Sequence, residues 1–386
     1  MSGINVLSIN IFFHPDSTFG SNIFTGLMER LYSQENPDLE MDFKVPAFKI
    51  PYYKRNRQKP NFDIDEWKNY NYAIAIVVLD SYLTNDASNL QFLDEVIDYS
   101  KLHPNIKVLP VLREINIGNS EQAKLFGAIN IMRPLALLSK NNLGVAETLE
   151  SVQSIFYIEF YHFLIKLFLS ETKRVKKVTF FLSHTKYGGV DIMTSLRRLI
   201  HEVTQLDDYV DVYDIEIGQF FEEEIQDAIK EPGTMFITVL TDQYSTRTVC
   251  RMEVLFAKKH YLPILTVSAL EKLEKRSFPY LNNTPVIRWQ NTNEGTLKVI
   301  EVALREYLRT VVVRKEIDNY MSETGINADE CICFPPELLT LQNLQEKFNG
   351  KPQVTILYPE PILDKQEMQM LNAVAPNIQF VTPWQV

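Results

Sequence analysis

One glutamate stands out among the ionisable residues of this chain. Glu253 comes after an apolar, β-branched run, Phe236-Ile237-Thr238-Val239-Leu240, and a polar stretch from Thr241 to Thr248. Apolar residues then recur at Val249, Met252, Leu255 and Phe256, which is helical spacing. The segment predicts strand, loop and helix, with Glu253 in the first turns of the helix. Open α/β sheets bind ligands outside the carboxyl ends of their strands, so a carboxylate at this point is a candidate for chemistry on a ligand. The competing reading is a solvated helix residue whose charge suits a nearby N-terminus. Two other constellations carry less. Ser183, His184 and Asp214 have the residue types of a hydrolase triad, but no nucleophile-elbow pattern surrounds Ser183. Cys331 and Cys333 are too close for a zinc knuckle, and no second Cys or His pair accompanies them, so we assign no metal.

The elements that must position Glu253 belong to an alternating pattern. In the first part of the chain, strands are expected at Asn5 to Phe13, Met41 to Phe48, Tyr72 to Leu79 and Ile106 to Leu112. Tyr72 to Leu79 is continuously apolar and reads as a buried strand. Helices are expected at Ser21 to Tyr32 and around Asp94-Glu95, and the Pro-, Tyr- and Lys/Arg-rich stretch Pro51 to Pro60 reads as a loop. A long apolar helix lies within Leu143 to Leu169 and lacks a clean polar face.

The order then repeats. Strands are expected at Val178 to Leu182, Tyr209 to Tyr213, Phe236 to Leu240, Leu262 to Val267 and Val286 to Trp289, with helices at Asp191 to Val203, Phe220 to Ile229 and Glu294 to Val313. The halves look like copies, with Asp94-Glu95-Val96-Ile97 matching Met252-Glu253-Val254-Leu255. Alternating strands and helices imply a parallel sheet in each half. The expected fold is α/β: two flavodoxin-like units in tandem at 1–172 and 173–317, then a small α/β appendage at 318–386 that docks on one of them.

Composition bounds the function. The 386 residues carry a formal net charge of -10, with a pI near 5.3, which argues against a general electrostatic grip on nucleic acid or an anionic membrane. The basic clusters Lys54 to Lys59 and Lys173 to Lys177 read as solvated linkers. Three cysteines and no secretory signal pattern predict a reducing, cytoplasmic setting. The most apolar segment, Ile155 to Leu169, contains Glu159, His162 and Lys166 and reads as too short to span a bilayer.

The second half resembles a Toll/interleukin-1 receptor (TIR) domain of the bacterial type. The resemblance rests on Phe180-Phe181-Leu182-Ser183-His184-Thr185, on Tyr213-Asp214-Ile215-Glu216-Ile217-Gly218, and on the Phe220-Phe221…Ile225…Ala228-Ile229 helix. It continues through Leu240-Thr241-Asp242-Gln243-Tyr244-Ser245 to Cys250-Arg251-Met252-Glu253. It covers about residues 175–313, and the first half looks like a diverged relative. The resemblance implies cleavage of the nicotinamide–ribose bond of NAD, with Glu253 as the catalytic residue and NAD as substrate rather than cofactor. Where the family often has Trp before Cys, this chain has Val249, so no indole is available there to stack on substrate.

The chemistry asks for little. Nicotinamide leaves as a neutral base, positive charge develops on the ribose, and a carboxylate beside it stabilises that charge. Around Glu253 the expected substrate contacts are Ser183, His184, Thr185, Gly188, Asp214, Phe221 and Cys250. Lys186-Tyr187-Gly188-Gly189 offers backbone amides for the diphosphate. Ile215, Ile217 and Gly218 resemble the family's mobile loop, which completes the pocket of a neighbouring subunit. The expected function is an NAD-cleaving antiphage effector, possessing an open crevice that self-association into an oligomer or filament closes, with a partner protein or nucleotide as trigger. The alternatives are a non-enzymatic TIR-like adaptor and a nucleotide sensor.

Overall fold

A computed structural model describes residues 6–31, 52–55, 64–85, 87–113, 126, 129–140, 144–170, 178–204, 206–209, 221–231, 233–272, 278–281, 283–359 and 362–383. The chain forms two compact units, one of residues 1–142 and 146–156, the other of residues 143–145 and 157–386.

The first unit runs β1 (Leu7–Phe12), α1 (Thr18–Leu31), β2 (Tyr52–Arg55), a 3-10 turn (Ile64–Asn69), β3 (Tyr72–Leu79), α2 (Ser81–Thr84), α3 (Ala87–Leu102), β4 (Ile106–Leu112) and α4 (Pro134–Lys140). Among the described residues its strands are all parallel, in the order β2-β1-β3-β4. Beyond β4, Val111 makes an isolated parallel bridge to Met132, in the place of a fifth strand. Every residue of β1 and β3 is buried, as their unbroken apolar character requires of central strands covered on both faces. One departure from the sequence reading is clear. Tyr52 to Arg55, expected in a loop, pairs with β1 in parallel as the outermost of the described strands. The strand expected at Met41 to Phe48 lies outside the described residues.

Helix α5 (Leu149–Ser170) passes from the first unit into the second, so the chain divides inside this helix rather than after it. Its 22 residues make it the one helix, among those described, long and apolar enough to cross a membrane, contrary to the length expected for Ile155 to Leu169. Within its most apolar window, 61% of the residues are buried inside the protein, as in a core helix.

The second unit continues with β5 (Thr179–Ser183), α6 (Val190–Val203), β6 (Asp207–Tyr209), α7 (Phe221–Lys230), β7 (Thr234–Leu240), α8 (Thr248–Lys259), β8 (Ile264–Ser268), β9 (Val286–Arg288) and α9 (Asn293–Thr324). The strand order is β6-β5-β7-β8-β9, all parallel, which is the flavodoxin-like order with its switch point between β5 and β7. Helix α6 buries Ile192, Leu196, Leu199 and Val203 at helical spacing. Phe181 on β5 stacks on Phe236 of β7 at 5.2 Å, tying the two central strands on the face that α7 and α8 cover.

Helix α9 is longer than expected and runs without a break through residue 317, where a boundary was anticipated. The Thr292 hydroxyl accepts the Gly295 amide at its start, and Gly325, at φ +70°, ends it in the left-handed conformation a glycine accepts without strain. Beyond it, β10 (Glu330–Cys331), α10 (Leu338–Lys347), β11 (Val354–Leu357), α11 (Lys365–Val374) and β12 (Ile378–Val381) build a third parallel sheet, ordered β10-β11-β12. This sheet has its own core, in which Leu341, Leu344, Val354, Ile356 and Ile378 are buried. The last turns of α9 pack on its other face through Val313, Ile317, Cys331 and Leu357. Lys258 at the end of α8 pairs with Glu337 at 3.2 Å, so the appendage sits beside α8 within the second unit.

Candidate active site

The register of the central strands builds the site. Ser183, the last residue of β5, lies opposite Thr238 of β7. Strand alternation puts Ser183 on the same face as Phe181, the face that α8 covers. Helix α8 turns Cys250, Glu253, Val254 and Ala257 inward. That buried stripe differs from the one read from Val249, Met252, Leu255 and Phe256. Val249 is 39% exposed, and the other three are partly buried at the edges of the helix. The apolar spacing was right for a helix but its inner face is turned by about one residue, because Glu253 occupies a core position that an apolar residue would ordinarily mark.

Glu253 is therefore not a solvated helix residue, nor does it stand on an open crevice: it is 3% exposed. The Ser183 hydroxyl donates to its carboxylate. The Ser183 and Tyr244 hydroxyl oxygens lie 2.5 Å apart, and the Tyr244 hydroxyl is also 3.3 Å from the Cys250 carbonyl, which it can donate to. Tyr244, in a 3-10 turn (Tyr244–Thr246) between β7 and α8, is fully buried. Burial first, then the charge of Glu253, pushes its phenol well above the ordinary range, so it keeps its proton at neutral pH.

The loop from Ser183 to α6 lies against this network. The Thr185 hydroxyl donates to the Tyr187 carbonyl at 2.7 Å, which leaves the Thr241 hydroxyl, at 3.0 Å, as donor to Thr185. The Cys250 thiol donates to the His184 carbonyl at 3.5 Å, and the Arg247 guanidinium lies 5.5 Å from the Tyr187 ring centre. Gly188 has φ +77°, and a Cβ on Gly189 would meet the Thr185 carbonyl oxygen at 2.7 Å. The glycine pair thus lets the loop turn tightly into α6, whose N-cap, Gly189, supplies no side-chain hydrogen bond.

Of the expected site residues, Ser183, His184, Thr185, Gly188, Cys250 and Glu253 come together at the carboxyl ends of β5 and β7. Ser183 commits its hydroxyl to Glu253 and Tyr244 and is 2% exposed. His184 enters through its backbone carbonyl, while its ring Nδ1 lies 3.3 Å from the Leu182 carbonyl. Asp214, Ile215, Ile217 and Gly218 lie outside the described residues, as does the side chain of Phe221. Tyr244 and Thr241 were not singled out; the signal for Tyr244 was one aromatic ring in an otherwise polar loop. The counterpart in the first unit is unlike Glu253: Glu95 on α3 is exposed. Among the described residues, no three His, Cys, Asp or Glu side chains converge as a metal site.

No family model matches the chain, and no curated protein matches it. Among solved structures, a Salmonella typhimurium LT2 protein with a provisional sugar-binding description aligns over 65% of this chain and 89% of its own, at 11% identity and a TM-score of 0.22. Likeness at that level carries no conclusion about fold or function.

Proposed function

We propose that the second unit is a TIR-type NAD-cleaving domain, serving as an effector in bacterial antiphage immunity. The observation that carries the reading is the placement of Glu253. It lies in the second turn of the helix after the third strand of a parallel sheet, beside the switch point where such sheets bind ligands. In the proposed reaction the bond between ribose C1′ and the nicotinamide nitrogen breaks, and the electron pair leaves with neutral nicotinamide. The Glu253 carboxylate stabilises the cation left on the ribose. Water then adds and loses a proton to give ADP-ribose; capture by the adenine of the same molecule would give the cyclic product instead.

Because Glu253 is nearly inaccessible, substrate reaches it only after covering groups move. That supports an enzyme held inactive until self-association, a partner protein or a nucleotide trigger rearranges the loops around it, in the cytoplasm where NAD is available. The same burial favours a second reading: a non-enzymatic TIR-like scaffold in which Ser183, Tyr244 and Glu253 form a structural network. Incubating concentrated, purified protein with NAD and following nicotinamide by chromatography separates the two. Release supports the enzyme; none at any concentration, with crowding agent present, supports the scaffold.

A further inference from the structure

We propose that Tyr244 is a positioning residue of this site: its hydroxyl, acting through Ser183, fixes the Glu253 carboxylate in the orientation that faces the ribose. The inference rests on the NAD-cleaving reading above and adds a residue to it. Its argument is a count of protons. In the ionised state that the proposed reaction requires, Glu253 can only accept, so the one hydroxyl proton of Ser183 goes to it. The oxygen of Tyr244, 2.5 Å from Ser183, must then be the donor in that contact. The phenol has a second acceptor in reach, the Cys250 carbonyl at 3.3 Å, but the shorter contact is the stronger.

The result is a directed chain from Tyr244 to Ser183 to Glu253, in which each donor polarises the next. It ties together three elements: the end of β5, the turn after β7 and the second turn of α8. A serine hydroxyl alone would rotate among acceptors. With Tyr244 donating to it, its proton is committed to one carboxylate oxygen. The volume filled by the Tyr244 ring among Phe181, Leu240 and Val254 would be filled as well by phenylalanine, so the packing does not explain the hydroxyl. A buried hydroxyl without a partner is costly; this one meets Ser183, which leads to Glu253, and the Cys250 carbonyl of α8, with Thr238 of β7 also against it.

The test is Tyr244→Phe, with Ser183→Ala as the second variant should the first fail to fold. The expected result is kcat lower by about ten- to a hundredfold, as for a catalytic group left slightly misplaced, with KM and melting temperature little changed. A readout independent of activity is the pH titration of Glu253, followed through its side-chain carbon by NMR. The Tyr244 phenol interacts with that carboxylate, and the Cys250 thiol of α8 acts on the same phenol. In Tyr244→Phe the Ser183 hydroxyl loses the partner that commits its proton to the carboxylate, so the ionised form is held less well and the Glu253 midpoint moves upward. Wild-type kcat together with an unmoved midpoint overturns the proposal. If the wild-type protein never releases nicotinamide, the reading of function falls, and the midpoint alone decides whether Tyr244 holds the carboxylate.

Discussion

Glu253 asks for a conservative test because its neighbours depend on it. Glu253→Ala would leave the Ser183 hydroxyl short of an acceptor in a buried site and disturb the Tyr244 contact to it, at a cost of about 1–3 kcal/mol, so lost activity could reflect lost structure. Glu253→Gln keeps the volume and one acceptor oxygen while removing the charge. It is predicted to fold normally and to lower nicotinamide release by about a hundredfold or more. Glu95→Gln, at the exposed counterpart on α3, is predicted to cleave NAD at the wild-type rate; a loss equal to that of Glu253→Gln in a well-folded protein would reverse the assignment of the two units. Gly189→Ala places a methyl 2.7 Å from the Thr185 carbonyl oxygen. It is predicted to lower the melting temperature and to displace the loop that holds the Cys250 contact to His184, measurable as faster amide exchange across Thr185 to Val190. The position of Glu253 was legible in the sequence because a strand, a polar loop and a helical period precede and contain it. Its burial was not, because that depends on which side of α8 turns inward, and the pairing of β5 with β7 decides this. Tyr244 was hidden for the same reason: one aromatic residue in a loop gives no sign of the partner that its hydroxyl meets 61 residues away in sequence.

At the scale of elements, α5 makes a prediction of its own. Burial pushes the Glu159 carboxyl up to about 7 and the His162 imidazole down to about 4. Between about 4.5 and 7 the folded chain keeps a proton on Glu159 that the unfolded chain releases, so this residue makes stability fall as pH rises. His162 acts in the opposite sense: the unfolded chain binds its proton below 6.5 and the folded chain resists until about 4, so stability falls as pH drops through that window. Glu159→Gln should therefore raise stability at about pH 8 by up to about 3 kcal/mol and change it little near pH 4, where the carboxyl is mostly protonated in both states. Thermal melts at the two pH values check this; equal gains at both would contradict it. Strands β3 and β7 were legible because central parallel strands must be apolar on both faces. Strand β2 was not, since its pairing relies on backbone groups while its basic sequence reads as loop.

The two larger sheets repeat one plan. The first unit orders its strands 2-1-3-4 and adds a parallel bridge beyond β4, while the second completes five strands in the same order. The tandem organisation was legible as a weak echo between the halves, but α9, crossing from one sheet to the next as a single helix, was not, because a continuous helical pattern carries no mark of a change in packing partner. On this account the second unit alone holds the chemistry and rests closed. Specific activity is then predicted to rise steeply with protein concentration or crowding, and Ile217→Asp should suppress that rise with little change in melting temperature; constant specific activity over a wide dilution, with Ile217→Asp fully active, would count against assembly. The most direct measurement compares wild type and Glu253→Gln at the same high concentration with NAD, following free nicotinamide by proton NMR over time. The account predicts release by the wild type and almost none by Glu253→Gln. Equal release by the two proteins would contradict it.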